Sequence, residues 1–306
     1  MVAALPLDIR VPILNAPMGG IAGGALAAAV SQAGGLGMIG MGSSGSVASL
    51  QRQLPLVPAG VRVGIGLVDW VVRKEPGLLD LALDAEPVVL SVSFGDDVDW
   101  ISRAHDRGVF AAAQVFDAAG VERADAAGAD LIVVRGREAG GHGRPLADRD
   151  ALLDAAADLT SRPVLAAGAI ATAADVRRAM DRGASGVWVG TAFAACRESL
   201  ASPGTRRALI EARPEDTILT SAFDQAAGYG WPADIPERVL DNDFTRRWAD
   251  GVEGAAAEQL AAANAADDPR GMSINAGLGV GELREERTAA EVLAALAGES
   301  VTGHAS

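Results

Sequence analysis

Residues 163–193 read PVLAAGAIATAADVRRAMDRGASGVWVGTAF, and this stretch decides the fold class. Two short apolar runs flank an amphipathic helix pattern, which ends at Gly183, where glycine readily adopts the left-handed conformation that stops a helix. The first run ends at Gly168, and the second ends at Gly190 and Thr191. The stretch is therefore predicted to be a strand–helix–strand unit in which each strand ends in a glycine turn.

The same unit recurs along the first two-thirds of the 306-residue chain. The predicted strands cover residues 12–17, 36–41, 61–68, 87–94, 109–115, 131–135, 163–169 and 186–193. The helix patterns between them include residues 24–33, 78–85, 97–107, 118–127 and 173–182. Near-continuous apolar strands are typical of a parallel sheet covered by helices, and eight strand–helix units are the number that closes a barrel.

An open doubly wound sheet has the same local pattern, so the position of the glycine turns decides between the two folds. A dinucleotide-binding sheet needs its glycine fingerprint after the first strand and an acidic residue near the end of the second. Residues 18–24 read MGGIAGG, but the second strand ends in GMGSS at 40–44, without an acidic residue. The turns at Gly168 and Gly190 instead follow strands seven and eight, where barrels bind phosphate. We therefore predict an α/β fold, a (β/α)8 TIM barrel.

The strand–helix rhythm ends near residue 199. We expect residues 1–213 to form the barrel, with a closing helix over 199–213, and residues 214–306 to form a C-terminal helical segment that caps it. Helix patterns cover residues 255–266 and 288–296, and residues 300–306 are expected to fray. Three large aromatic residues of this segment need burial, either over the barrel mouth or in a subunit contact. They are Trp231, Phe244 and Trp248.

The composition excludes several classes of protein. The chain has 26 Lys and Arg against 40 Asp and Glu, a net charge of −14, and only 4% aromatic residues, which argues against nucleic-acid binding. Residues 11–51 contain no charge, but Pro17, Asn15 and many glycines interrupt them, so we expect a buried soluble segment and no membrane span. Cys196 is the sole cysteine of the sequence, which excludes an intramolecular disulfide and favours a cytoplasmic location.

The segment RGREAGGHGR, residues 135–144, directly follows the sixth strand. Reactive groups of barrels come from the C-terminal ends of strands, and histidine suits proton transfer near neutral pH, so His142 is a candidate acid–base residue. Gly140 and Gly141 leave space for a planar ligand to approach. The alternative is that the glycines form a simple turn and His142 is exposed to solvent. The phosphate turns favour the catalytic interpretation.

Other polar residues give weaker signals. Gln114 ends the apolar fifth strand, and its amide needs a partner, either a ligand or a neighbouring loop. His105 lies in a polar helix pattern and His304 in the tail, so three scattered histidines without His-Glu-x-x-His predict no metal site. Cys196 has no evident partner and is expected to be a buried packing residue.

Four segments together resemble the nitronate monooxygenases, formerly called 2-nitropropane dioxygenases, which are FMN-dependent barrels. They are NAPMG at 15–19, EAGGHG at 138–143, PVLAAGAI at 163–170, and GASGVWVGTAF at 183–193 with Glu198 and Ser199. The resemblance covers nearly the whole chain. The Gly-Gly-His element alone is only suggestive, whereas the four segments together are specific.

The resemblance assigns roles residue by residue. His142 matches the catalytic histidine, which takes the proton from the carbon bearing the nitro group. The residues that match flavin contacts are Ala16, Pro17, Met18 and Gly19 against the ring, Gln114, Gly140 and Gly141, and the phosphate turns at Ala167, Gly168 and Ala169 and at Gly190 and Thr191. The implied reaction oxidises alkyl nitronates or nitroalkanes with O₂ to carbonyl compounds and nitrite, without NAD(P)H. A subunit contact through the C-terminal segment would give a homodimer.

The chain also departs from the family pattern. An Asn expected near the end of the third strand is absent from GIGL at 64–67. The second glycine of the seventh-strand turn is Ala169, a mild change if its φ is negative. Tyr229 is the single tyrosine, although family members place several around the substrate.

Three alternatives remain at the level of sequence. A flavin-dependent enoyl-acyl-carrier-protein reductase shares the Gly-Gly-His element but needs NAD(P)H and a basic surface for its acidic carrier, which the charge of −14 disfavours. A flavin-binding protein without catalysis would show the same motifs. A phosphosugar barrel without flavin would share the phosphate turns.

Overall fold

The computed structural model describes residues 3–299. Within them, eight strands form one parallel sheet: β1 (Ile13–Asn15), β2 (Met38–Met41), β3 (Gly64–Val68), β4 (Val89–Ser93), β5 (Phe110–Val115), β6 (Leu131–Arg135), β8 (Val164–Ala167) and β9 (Gly186–Val189). A second sheet is antiparallel, in the order β10-β11-β7, and consists of β7 (Gly141–His142), β10 (Thr217–Thr220) and β11 (Glu237–Leu240).

The helices that follow the first four barrel strands are α1 (Gly24–Gln32), α2 (Val47–Gln53), α3 (Asp69–Lys74), α4 (Leu78–Asp84) and α5 (Asp99–His105). Those of the second half of the barrel are α6 (Ala118–Ala126), α7 (Arg149–Leu159), α8 (Ala173–Asp181), α9 (Thr191–Ala194) and α10 (Pro203–Glu211). The C-terminal extension contains α11 (Ala222–Ala227), α12 (Asp243–Arg247), α13 (Ala256–Ala266) and α14 (Ala289–Ala297). Short 3₁₀ helices cover Leu54–Leu56, Pro214–Asp216 and Leu278–Glu282.

The parallel strands form a nearly closed barrel in the order β1-β9-β8-β6-β5-β4-β3-β2. Between the two end strands, a backbone bridge joins Leu14 to Leu36. The buried Asn15 side chain completes this junction, because its Nδ2 donates to the Met38 carbonyl oxygen and its Oδ1 accepts from the Met38 N–H, both at 2.9 Å. The amide thus supplies, between β1 and β2, the hydrogen bonds that a longer backbone ladder would otherwise make.

Aliphatic packing on both faces of the sheet forms the core. Every residue of β2, β3 and β6 is buried, as expected for parallel strands covered by helices outside and by side chains inside. The inner cluster includes Leu14, Met38, Val133, Leu165 and Trp188. The predicted TIM barrel is therefore confirmed.

Strand ends and some helices differ from the sequence prediction. The eighth strand was predicted to continue to residue 193, which is wrong, because Gly190 precedes a short helix that begins at Thr191. Helices α3 and α7 were not among the helix patterns predicted between the strands.

The C-terminal extension is not wholly helical, because β10 and β11 lie within it. Its last helix, α14, packs against α1 and α8, and its buried residues Ala289, Leu293 and Leu296 join the main core of the barrel. A domain boundary at residue 213 stays a prediction, and α14 is a part of the extension that packs in the helical layer of the barrel. The tail at 300–306, with His304, lies outside the described residues.

No helix within residues 3–299 is long and apolar enough to cross a membrane. The uncharged stretch at 11–51 folds into β1, α1, β2 and most of α2.

Candidate active site

A cavity of about 590 Å³ lies at the C-terminal ends of the barrel strands. Its volume is within the range of small-molecule and cofactor sites, roughly 300–1,000 Å³. All of the sequence-predicted site residues line it: Ala16, Pro17, Met18, Gly19, Gln114, Gly140, Gly141, His142, Ala167, Gly168, Ala169, Gly190 and Thr191. The structure thus brings these residues together, while their individual roles stay predictions.

Glycines on the neighbouring strands make room for the segment 16–19, which follows β1. A Cβ on Gly40 would lie 2.4 Å from the Pro17 carbonyl carbon, and one on Gly19 would lie 2.3 Å from Gly42 Cα. Real Cβ atoms do not approach so closely, so any larger residue at these positions would push the segment away from β2. The glycine content of the first two strand–helix units therefore has a packing reason.

Gly66 lies in the third-strand stretch that departs from the family pattern, and it has no room for a side chain. A Cβ there would lie 2.3 Å from Pro17 Cγ and 2.4 Å from Pro17 Cβ, so the proline ring already fills the space above β3. An asparagine at this position would clash with Pro17 as it is placed here.

The surroundings of Gln114 show whether its amide has a protein partner or is free for a ligand. Its Nε2 is buried, borders the cavity and has no hydrogen-bond partner among the described residues. A buried amide donor without a partner is costly, so a ligand is the better interpretation than a neighbouring loop. Flavin rings carry carbonyl and ring-nitrogen acceptors, and this orphaned donor on the cavity wall fits such a group.

The turn after β8 is more constrained than the sequence suggested. Gly168 has φ +117° and Ala169 has φ +47°, so the condition of a negative φ at the second position is not met. The left-handed conformation costs a non-glycine residue roughly 1–2 kcal/mol. The buried Arg149 holds the turn, because its Nη1 donates to the Gly168 carbonyl oxygen at 2.5 Å.

The turn after β9 lies beside it on the adjacent strand. The Thr191 hydroxyl oxygen accepts from the Gly277 N–H at 3.0 Å, which ties this turn to the C-terminal extension. The hydroxyl hydrogen remains available as a donor. Both predicted phosphate turns therefore face one cavity from neighbouring strands.

The glycines around His142 pack against protein as well as border the cavity. A Cβ on Gly140 would lie 2.5 Å from Gly277 N, and one on Gly143 would lie 1.7 Å from Arg135 Nη1. Of these three glycines, only Gly141, with φ +74°, has free space beside it. A Cβ added there would meet no atom nearer than Asn275 Cγ, at 3.9 Å. Space for a ligand, the reason inferred from sequence, therefore applies mainly to Gly141.

Arg135 fixes this loop from inside the barrel. Its Nη2 donates to the carbonyl oxygens of Gly140 at 2.8 Å and Gly141 at 3.0 Å. Burial lowers the pKa of Arg135 to about 10, with the nearby Arg238 as a second cause, so the guanidinium remains charged near neutral pH. Its hydrogen bonds to the loop carbonyls compensate part of the desolvation.

His142 is held by residues from the C-terminal extension. Strand β7 pairs with β11, where His142 is in register with Glu237. The imidazole Nε2 lies 2.9 Å from Asp224 Oδ2, and the side chains of this pair are 12% and 7% exposed. The ring stacks on Trp231 with centroids 3.7 Å apart and an angle of 7° between the planes. The indole N–H of Trp231 in turn donates to the Ser43 hydroxyl at 2.9 Å.

Trp231 therefore covers the barrel mouth, one of the two locations that the sequence left open. Phe244 and Trp248 do not, because Phe244 stacks on Phe223 within the extension with centroids 4.7 Å apart, and Trp248 packs against Phe244.

Glu237 is the most buried carboxyl group of the site, with 2% of the residue exposed. Its Oε2 is 3.1 Å from the Ser273 hydroxyl, and its Oε1 has no partner among the described residues. Burial raises the pKa of Glu237 to about 8, and the charge of Asp224 adds to this. The carboxyl is therefore largely protonated at neutral pH.

Sequence reasoning missed Asp224 and Glu237 and gave Trp231 no partner. These residues lie in the extension, where no motif marks them, and only the pairing of β7 with β11 brings them to His142. One nitrogen of His142 and one oxygen from each carboxylate lie within 4.8 Å of one another, a geometry within reach of a metal ion. The prediction of no metal site stays a prediction.

The remaining candidates lie away from the cavity. Cys196 is fully buried, and burial raises the pKa of its thiol to about 12, as expected for a packing residue. His105 is on the surface, with Nε2 2.9 Å from Asp130 Oδ2.

Comparisons with known proteins find relatives of this chain by sequence and by fold. The sequence model of the nitronate monooxygenase family matches residues 60–299. A nitronate monooxygenase of Pseudomonas aeruginosa is 34% identical over 284 residues, covering 74% of this chain and 78% of that protein. Nitroalkane oxidase from Streptomyces ansochromogenes has a TM-score of 0.80 and 27% identity, covering 95% of this chain and 96% of that one. FabK from Thermotoga maritima has a TM-score of 0.78 and 25% identity, covering 95% and 92%.

The family match spans more than half of the chain and includes His142. It confirms the resemblance inferred from the four sequence segments, and the family is in general flavin-dependent. The chain therefore belongs to the nitronate monooxygenase family of oxidoreductases.

Proposed function

We propose that the cavity binds FMN. The orphaned Nε2 of Gln114 supports this, together with the adjacent turns at Gly168 and Gly190, which suit a single terminal phosphate. In this arrangement the segment 16–19 lies against the ring. When bound, the flavin supplies the electron chemistry, while the protein supplies binding, orientation and a base.

An absorption spectrum of the purified protein tests flavin binding, and identification of the flavin released by denaturation distinguishes FMN from FAD. A colourless protein that fails to take up added FMN would contradict this part of the proposal and favour a phosphosugar barrel.

We propose that the enzyme oxidises small alkyl nitronates and nitroalkanes with O₂ to carbonyl compounds and nitrite, without NAD(P)H. The observation that carries this is the position of His142, on the cavity wall beside a buried carboxylate. His142 removes the proton from the carbon that bears the nitro group, and the open space at Gly141 admits a small substrate beside the cofactor.

Nitrite release and O₂ uptake with propyl nitronate and with the nitronate of 3-nitropropionate test the reaction. Absence of turnover across several nitronates would contradict the assignment. Rapid anaerobic reduction of the flavin by NADH would favour the enoyl reductase instead, and FMN binding without reduction by any donor would indicate a non-catalytic flavin protein.

His142→Ala separates proton removal from oxidation. We expect the variant to keep its flavin and its activity on preformed nitronates, because these need no base. Activity on the neutral nitroalkane should fall by about 10²–10⁴-fold, the usual contribution of a general base. If the variant keeps the wild-type activity on the neutral nitroalkane, His142 is not the base of the reaction.

We also propose a cytoplasmic enzyme, as the buried free Cys196 suggests, and a homodimer. Fractionation of the source cells and light scattering of the purified protein measure these two properties.

A further inference from the structure

We propose that Asp224 is the positioning residue for His142. It fixes the imidazole with the hydrogen on Nε2, so that Nδ1 is the nitrogen that receives the substrate proton. This inference rests on the proposed function and assigns a residue from outside the strand-end motifs to its proton-transfer step.

The hydrogen bond defines the tautomer. Nε2 of His142 lies 2.9 Å from Asp224 Oδ2. We assign the carboxylate oxygen as the acceptor of this hydrogen bond, which places the hydrogen on Nε2. Nδ1 makes no hydrogen bond to any residue of 3–299, so in the neutral ring its lone pair is available. A carboxylate that orients an imidazole in this way is a recurring arrangement in acid–base catalysis.

Two further contacts restrict the ring. Trp231 stacks on its face at 3.7 Å, which blocks rotation about the bond from Cβ to the ring. The backbone on both sides is fixed, since His142 is in register with Glu237 and the Gly143 N–H donates to the Pro236 carbonyl oxygen at 3.1 Å. The imidazole therefore has one available orientation, which Asp224 and Trp231 define together.

The other ionisable groups near the ring do not replace Asp224. Glu237 is engaged through Oε2 with Ser273, and Arg135 donates to the carbonyl oxygens of the loop. Tyr229 borders the cavity beyond α11, and its backbone N–H donates to the Asp224 carbonyl oxygen at 2.9 Å. Asp224 is the carboxylate in hydrogen-bond contact with the imidazole among the described residues.

Removal of the proton from the nitroalkane needs no oxidant or reductant. The C–H bond next to the nitro group breaks, the proton moves to Nδ1 of His142, and the electron pair remains on the substrate as the nitronate. The imidazolium that forms is paired with Asp224, and this charge pair stabilises it within a site of low exposure.

Asp224→Asn tests the assignment by comparing two substrate forms. The asparagine amide can also donate to Nε2 and so permits the wrong tautomer, while the shape of the side chain is kept. We expect kcat/KM for the neutral nitroalkane to fall about 10- to 100-fold, the usual effect of removing a carboxylate that orients a metal-bound histidine. kcat/KM for the preformed nitronate should be nearly unchanged. The deuterium isotope effect on the nitroalkane reaction should rise, because proton removal becomes slower.

The chain contains a matched control. Asp130 Oδ2 lies at the same distance, 2.9 Å, from His105 Nε2, but this pair is more exposed and lies away from the cavity. Asp130→Asn should change neither substrate's kinetics. An unchanged ratio of nitroalkane to nitronate activity in Asp224→Asn would overturn the proposal about Asp224. Absence of nitronate turnover in the wild type would instead overturn the proposed function.

Nitrogen NMR of histidine-labelled wild-type protein tests the tautomer without turnover or a mutant at Asp224, with the His142 signals identified by their loss in His142→Ala. We expect a protonated Nε2 and an unprotonated Nδ1 in the neutral ring. A hydrogen on Nδ1 would overturn the proposal. So would an Nε2 that gains its proton only after chelation, since this would reveal a metal ion in place of the hydrogen bond to Asp224.

Discussion

At the scale of single residues, Glu237 combines deep burial with an ionisable group. Its pKa in the folded protein is raised to about 8, mainly by desolvation, from an ordinary value near 4.5. Between pH 4.5 and 8 the carboxyl of Glu237 binds more protons in the folded state than in the unfolded state. The contribution of Glu237 to the free energy of unfolding is therefore greatest below pH 4.5 and falls as the pH rises toward about 8.

Glu237→Gln should remove this loss, because glutamine resembles the protonated acid and does not ionise. The free energy of unfolding should decline less between pH 5 and 8 than in the wild type, by an amount on the order of 4 kcal/mol. Denaturant titrations at several pH values measure it.

Glu258→Gln, a change of the same kind on the exposed side of α13, serves as the control and should keep the pH dependence of the wild type. Parallel pH profiles for the wild type and Glu237→Gln would show that Glu237 does not titrate in this range.

At the scale of elements, the packing of the segment 16–19 on β2 and β3 depends on glycine. Gly66→Ala would place a Cβ within 2.4 Å of two carbons of the Pro17 ring, which is rigid. We expect a loss of stability of about 1–3 kcal/mol and a lower flavin content after purification, because Pro17 and Met18 must move into the cavity. Thermal unfolding and the ratio of flavin to protein absorbance measure both effects.

Gly230→Ala is the control, because its added Cβ would meet only Trp70 at 3.9 Å and its φ is not left-handed. Full flavin content in Gly66→Ala would show that β3 yields to the methyl group, and that the segment 16–19 is not fixed by this contact.

At the scale of the whole molecule, the barrel and the extension each contribute an element to the other part. Strand β7, which carries His142, belongs to the sheet of the extension, while α14 belongs to the helical layer of the barrel. We therefore expect the two parts to unfold together.

Leu293→Ala tests this coupling. Leu293 is 1% exposed and packs in the main core, so its truncation should cost about 2–5 kcal/mol. Unfolding followed by flavin fluorescence and by circular dichroism should shift to lower temperature together. Leu146→Ala, the same change at a residue that is 57% exposed, should have little effect. Two separated transitions would show that the extension folds independently of the barrel.

Short stretches of sequence determined much of this protein. Apolar runs, helix patterns and glycine turns predicted eight parallel strands, the position of the phosphate turns and the loop that carries His142, because each signal lies within one strand–helix unit. The prediction was weaker for α3 and α7, which were not among the predicted helices, and for the extension, where β10 and β11 read as helix or loop.

Only the tertiary structure decided the surroundings of His142 and the conformation of Ala169. Asp224 is 82 residues away from His142 along the chain, and no local pattern encodes contacts of that separation. The left-handed φ of Ala169 is not a preference of alanine, and it occurs in the turn after β8 whose Gly168 carbonyl oxygen accepts a hydrogen bond from Arg149. Sequence periodicity reflects burial within one element, whereas the partners of a catalytic side chain depend on how distant elements pack.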